Sequence, residues 1–233
     1  MLTAADRESH ARLALFDGCA QATIEELLAK ARVQTYPPHV EIVREGDNAD
    51  YLHVLLNGLV QVVAHDSGHE TTISILQPPN AFIMAAVYLD KPYLQSARTL
   101  ETSTVLLINA EPLRRLAASD IALSNNVAHE LAHAYRMVAQ ELKNQKLRPG
   151  LQRLANWLVR RDIETGNVQK FAIPFDKKVL AAKLGMAPEV LSRSFATLAK
   201  YDVVVQGRDV EIRDMNALVR LAKPSPLMDD PEA

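Results

Sequence analysis

The amino-acid sequence predicts an α+β chain in three parts: a β-rich sandwich or barrel, one long helix that pairs with its own copy, and a winged helix-turn-helix. Three observations carry that prediction. Between residues 33 and 108, short β-rich runs alternate with turn residues. From Glu111 to about Lys146 apolar residues return at helical spacing. In the last third, two short helical stretches meet at Gly185, with a hairpin pattern on either side.

Composition frames these parts. The chain has 233 residues, 48% of them apolar and 23% charged, as expected of a soluble globular protein. Its longest apolar runs, such as Val54-Leu55-Leu56, are far too short to span a bilayer. The first sixteen residues alternate charge with Ala and Leu, so no signal peptide is expected and the cytoplasm is the expected compartment. The single cysteine, Cys19, excludes an internal disulfide and a four-cysteine zinc or iron–sulfur site within one chain. Charge is distributed unevenly. Residues 1–147 carry 12 basic and 17 acidic side chains, residues 148–223 carry 14 and 8, and the last ten residues are acidic. A basic segment beside an acidic one points to the former as the part that meets a polyanion.

The elements follow in order. Residues 22–32 read as a short amphipathic helix, with Thr23 as N-cap ahead of Glu25 and Glu26. Strand patterns occupy 51–56, 59–64, 71–76 and 102–108. The turn signals are Glu45-Gly46-Asp47-Asn48, Asn57-Gly58 and Asp66-Ser67-Gly68, and Asn-Gly between β runs marks a hairpin. Many short strands so spaced argue for a sandwich or barrel. Within 111–147, Ile121, Ala128, Leu131, Tyr135, Val138 and Leu142 occupy heptad core positions. So narrow a seam fits pairing across a two-fold axis; packing on the chain's own β domain is the alternative. Pro149-Gly150 breaks the helix and marks the boundary. Beyond it come a helix at 151–164, a hairpin at 168–174, a helix-turn-helix at 176–200 and a hairpin at 203–212, tipped by Gly207 and Arg208 like a wing. Residues 224–233 read as a disordered tail. The division is therefore 1–110, 111–147, 148–223 and 224–233.

The turn at Gly185 carries most of the chemistry. Glycine frees the backbone for a tight turn, and Pro188 fits the first turn of the helix that follows. Glu189, Ser192 and Arg193 then stand at i, i+3 and i+4, on one face. Arg donates two hydrogen bonds to guanine, Glu accepts from the cytosine amine, and Ser contacts either. Those are the groups a recognition helix needs in the major groove. Lys177, Lys178 and Arg208 read as phosphate contacts or as solvated side chains.

Taken together these residues resemble the CRP/FNR superfamily of bacterial transcription regulators. Arg44-Glu45-Gly46-Asp47, then Leu52 and Leu56-Asn57-Gly58, is similar to the family's β-roll signature. Leu184-Gly185-Met186 through Glu189-Val190-Leu191-Ser192-Arg193 is similar to its recognition motif. The resemblance covers about residues 15–220. It implies a cupin-like β-roll of the cyclic-nucleotide-binding type, a homodimer, double-stranded DNA as partner and RNA polymerase as a further candidate partner. Glu-x-x-Ser-Arg resembles the FNR-like, Dnr-like branch, which reads TTGAT half-sites in an inverted repeat, with Glu189, Ser192 and Arg193 as the base-reading residues.

The departures from the family are equally informative. Members that bind cyclic nucleotides carry Gly-Glu in a short helix and then Arg-Ser-Ala, which hold the phosphate. Here the stretches read Phe82-Ile83-Met84-Ala85-Ala86 and Gln95-Ser96-Ala97, so Ile83 and Met84 replace glycine and glutamate and Gln95 replaces the arginine. A cyclic phosphate would meet an uncharged wall, so cyclic AMP is not expected. Nor is an iron–sulfur cluster, with Cys19 alone. Haem is a candidate cofactor, since similar regulators sense nitric oxide or carbon monoxide through it. Its ligand is unassigned among His10, His39, His53, His65, His69, His129 and His133. Another FNR-like group senses small aromatic acids. Phe82, Met84, Tyr88, Tyr93 and Tyr135 would wall such a pocket and Gln95 and Ser96 supply polar handles, with ordinary core packing as the alternative.

One motif points elsewhere. His129-Glu130-Leu131-Ala132-His133 matches the HExxH pattern of zinc hydrolases, on a helix as that chemistry requires. It falls inside the pairing helix with both histidines at outward positions, and a chance match is the better reading. The expectation is a DNA-binding regulator rather than an enzyme, with neither metal nor membrane involved and an effector that the sequence does not identify.

Overall fold

The computed structural model describes His10 and residues 13–230. The signal-peptide reading therefore lies largely outside the described residues, as do the last three residues of the expected tail. Helix α1 (Gln21–Ala29) comes first. Thr23 does not cap it. Ala20 holds the cap position, and the Thr23 hydroxyl donates to Asp120 Oδ2 at 2.7 Å.

The β-roll is built from β1 (Arg32–Tyr36), β2 (Glu41–Val43), β3 (Tyr51–Asn57), β4 (Val60–Asp66), β5 (His69–Leu76), β6 (Asn80–Phe82), the short helix α2 (Met84–Leu89), β7 (Ser96–Thr99) and β8 (Ser103–Asn109). They form two antiparallel sheets of four strands, in the orders β1-β8-β3-β6 and β2-β7-β4-β5. Asn57-Gly58 turns the chain from one sheet to the other. Gly58 has φ +95°, and a Cβ there would stand 2.6 Å from Ser103 Cα. Leu52, Val54, Leu55, Val60, Leu106 and Ile108 fill the core with Leu28 of α1. Full burial of such side chains contributes roughly 1.5–3 kcal/mol each.

The helical pattern that begins near residue 111 is two helices, α3 (Ala110–Ala117) and α4 (Ile121–Leu147). The break has a cause. Asp120 Oδ1 accepts the amides of Ala122 and Leu123 at 3.0 and 3.2 Å, and its Oδ2 takes the Ala20 amide at 3.0 Å along with Thr23. One carboxylate therefore starts α4 and secures the start of α1. Leu123 and Val127 of α4 are buried in the β-roll core, and Leu131 packs against it. Leu131 thus leaves the expected seam and supports its own domain. Ala128 is exposed, and Ile121, Tyr135, Val138 and Leu142 are exposed large apolar side chains.

The remainder contains α5 (Gly150–Glu164), β9 (Lys170–Ala172), α6 (Lys177–Lys183), α7 (Pro188–Leu198), β10 (Val203–Gln206), β11 (Asp209–Ile212), α8 (Met215–Ala222) and α9 (Pro226–Asp229). The expected hairpin at 168–174 is a single strand, β9, at the edge of a sheet ordered β10-β11-β9. Gly166, Asn167 and Gln169 all have positive φ, so the preceding residues coil rather than pair. The tail is ordered as α9 through Asp229, contrary to the disorder expected there. The chain divides into two compact units, Met1–Ala134 and Tyr135–Ala233, so the division falls inside α4 rather than at Pro149-Gly150. Among the described residues no helix is long and apolar enough to cross a membrane.

Candidate nucleic-acid interface

The second unit is built around α7. Its buried face is Leu191, Ser194, Phe195 and Leu198, at i, i+3, i+4 and i+7. Glu189, Ser192, Arg193 and Ala196 occupy the opposite, exposed face. The helix is seated by the turn before it. Gly185 has φ +60°, and Pro188 stands in the first turn. The hydroxyl of Ser194 donates to Val190 O at 2.8 Å, so this buried polar group stays within its own helix.

A cleft of about 520 Å³ runs between α7 and β10, lined by Lys177, Lys178, Ser192, Phe195, Val204 and Arg213 among others. Lys177 Nζ lies 5.1 Å over the Phe195 ring, and Lys178 is exposed at the start of α6. Arg208 sits at the tip of the β10–β11 hairpin, where Gly207 has φ +58°, and Nη2 donates to Asp176 Oδ1 at 2.6 Å. The structure therefore brings Ser192, Lys177 and Lys178 to one cleft and adds Arg213, which no sequence signal marked. Arg208 is held beside the start of α6 by an exposed ion pair, a contact worth little against a competing phosphate.

The residues expected to hold an effector differ in their surroundings. Phe82 and Met84 belong to the β-roll core, Tyr88 is exposed, and Tyr135 is exposed in the other unit. Ser96 Oγ accepts the Glu45 amide at 3.0 Å, and Gln95 is half-buried. Ile83 stands at the N-terminal cap of α2 at φ +56°, an uncommon conformation for a β-branched side chain. Sequence reasoning gave His53 no special place. It is 6% exposed on β3, with its ring 5.5 Å from Phe82 and 6.2 Å from Tyr93. Burial lowers its pKa to about 4, against a weaker raising effect of the Tyr51 backbone. Its Nδ1 has no partner among the described residues. His129 and His133 are exposed on α4, and among the described residues no three His, Cys, Asp or Glu side chains gather as a metal centre requires.

Similarity to known proteins follows the same two-part plan. Residues 33–120 match the cyclic nucleotide-binding domain, and residues 152–221 match the Crp-like helix-turn-helix domain. The potassium channel AKT6 of Arabidopsis thaliana is 23% identical over 124 residues, 52% of this chain, and the chain spans only 14% of that channel's length. The anaerobic regulatory protein of Bacillus subtilis is 23% identical over 78% of this chain and 77% of its own. Among solved structures, FixK2 of Bradyrhizobium japonicum has a TM-score of 0.73 at 19% identity, covering 84% of this chain and 98% of that one. A regulatory protein of Silicibacter pomeroyi, provisionally described as cAMP-binding, is 26% identical with a TM-score of 0.61, over 93% of this chain and 100% of that one. By this pair of domains, in this order, the chain has the fold of CRP/FNR transcription regulators.

Proposed function

We propose that the chain is a homodimeric, sequence-specific DNA-binding transcription regulator controlled by an effector other than cyclic AMP. The observation that carries this is the exposed stripe of Glu189, Ser192 and Arg193 above the buried face of α7. Its residue types supply an acceptor for cytosine, an adaptable hydroxyl and a two-pronged donor for guanine. They support reading of a TTGAT-type inverted repeat, the FNR-like preference. Lys177, Lys178 and Arg208 then contact phosphates and fix register. Two copies are brought together along Ile121, Ala128, Tyr135, Val138 and Leu142, a reading supported by the exposure of these side chains on one chain. The effector reading rests on Gln95 in place of an arginine and on the buried, apolar Phe82 and Met84. A charged cyclic phosphate there would lack its partner. RNA polymerase is the further partner of such a regulator, and the cytoplasm its compartment.

The test is a gel-shift titration of the full chain on a TTGAT-N4-ATCAA duplex and a scrambled duplex, at fixed salt. Preference for the first duplex is expected, and Arg193→Ala should cost roughly 1–3 kcal/mol and relax selection at the guanine. Equal affinity for both duplexes, with the co-purifying effector retained, would sink the base-reading assignment. Native mass spectrometry and an absorption spectrum of the same freshly purified protein identify the effector class. A Soret band selects haem, and a small retained mass selects an organic ligand.

A further inference from the structure

The joint between α4 and the helix-turn-helix domain carries more directed bonding than a swinging hinge has. Arg148, immediately after α4, has a side chain only 3% exposed. Its guanidinium grips Asp229 of α9 through two bonds, Nη1 to Oδ1 and Nη2 to Oδ2, each 2.6 Å. Nη1 also donates to Asn144 Oδ1 at 3.3 Å and Nη2 to Lys223 O at 3.4 Å. Asp229 Oδ2 takes the Ser225 amide at 2.6 Å as well. Farther up α4, Gln140 Nε2 donates to Asp230 O at 2.9 Å. Asp230, Asp229 and Lys223 are therefore held in turn by Gln140 and Arg148, and the segment runs antiparallel to the last two turns of α4.

A second guanidinium works on the other side of the joint. Arg153, in the first turn of α5, donates through Nη1 to Arg148 O at 2.6 Å and Gln145 O at 3.4 Å. Its Nε reaches Leu184 O at 2.8 Å, and its Nη2 reaches Gly185 O at 3.2 Å. It thus occupies carbonyls left open at the ends of both α4 and α6. Gln145 Nε2 adds a bond to Lys183 O at 3.3 Å. The buried, two-pronged contact of Arg148 with Asp229 holds geometry as well as charge. The Nε of Arg148 has no partner among the described residues, so this guanidinium depends on Asp229 for its compensation.

We propose that residues 225–230 are a strap that fuses the end of α4 to the helix-turn-helix domain. The recognition helix is then carried rigidly by the second half of α4, and Pro149-Gly150 is a corner rather than a hinge. A signal arriving along α4 turns this body as a whole. The strap itself stands independently of the proposed function; its bearing on DNA rests on that reading.

Amide hydrogen exchange on the full chain tests the strap without DNA, comparing the wild type with Asp229→Asn and Asp229→Glu. In Asp229→Asn, exchange across residues 140–153 should rise at least tenfold, while peptides of the β-roll and of α7 keep wild-type rates. Asp229→Glu, which retains the charge, should recover part of the protection. Wild-type rates at the joint in Asp229→Asn overturn the proposal, and so does a uniform rise through the whole second unit, which would mark mere loss of stability. On the TTGAT duplex, Asp229→Asn should bind about tenfold more weakly, because a loosened joint must be ordered at each encounter. Raised exchange with unchanged affinity overturns the link to DNA. Absence of specific binding by the wild type overturns the proposed function and leaves the exchange result standing.

Discussion

Gly58 and His53 show what single residues decide in the β-roll. Gly58 turns the chain beneath Ser103, whose backbone and hydroxyl fill the space a side chain would need, and Ser103 Oγ accepts the Leu59 amide at 3.2 Å. Gly58→Ala combines a steric clash with backbone at positive φ, and urea unfolding should show a loss of more than about 2 kcal/mol. His53 affects stability through pH. With its pKa lowered by burial from 6.5 to about 4, the folded protein resists protonation that the unfolded chain accepts. Stability should therefore fall as pH drops from 6.5 towards 4, by up to roughly 3 kcal/mol from this residue. His53→Leu should flatten that part of the pH dependence of urea unfolding, and an unchanged slope between wild type and variant would refute the assignment. Neither effect is visible from residue type alone. Asn57-Gly58 was legible as a turn, but it carries the chain between two sheets instead of closing the expected hairpin, and the burial of His53 depends on strand pairing with Phe82 across 29 positions.

Legibility changes from element to element for physical reasons. The longer strands and α7 were readable because alternation, Asn-Gly and the spacing of Glu189, Ser192 and Arg193 are local signals. β1, β2, β6 and β7 were missed: three to five residues carry little pattern, and their stability comes from partners distant in sequence. The same reason disguised the pairing of β9, which lies within the expected hairpin at 168–174 but pairs with β11. Helical spacing located α4 but did not separate its two faces. Leu123, Val127 and Leu131 serve the chain's own core, while Tyr135, Val138 and Leu142 are left exposed. Asp120 explains the break ahead of α4, and its carboxyl is held below its ordinary pKa first by the Thr23 hydroxyl and then by backbone amides. The bond from Arg148 to Asp229 spans 81 positions, and no periodicity announces it.

For the whole molecule the governing question is assembly. The apolar side chains exposed at 135, 138 and 142 stand on two successive turns of one helix, as pairing with a second copy requires. Leu142→Glu should convert a dimer to monomer in light scattering at micromolar concentration, while far-ultraviolet circular dichroism remains that of the wild type. An unchanged mass would remove the seam as the interface. Domain order was legible in the sequence: the β-rich runs precede the long helix and the turn at Gly185, as the cyclic nucleotide-binding and Crp-like helix-turn-helix matches do. An effector was not legible, because any ligand site in a β-roll is made of a few side chains brought together by pairing across sheets.

The unbroken course of α4 through the division between the two units fixes how this architecture tolerates changes in length. Each residue of a helix turns the next by about 100°, so one residue inserted near Ala134 would swing Tyr135, Val138 and Leu142 away from the face that bears Ile121 and Ala128. Seven inserted residues would restore it nearly in phase. If these side chains pair two copies, only length changes of whole heptads keep their stripe continuous, and any other number calls for a new seam.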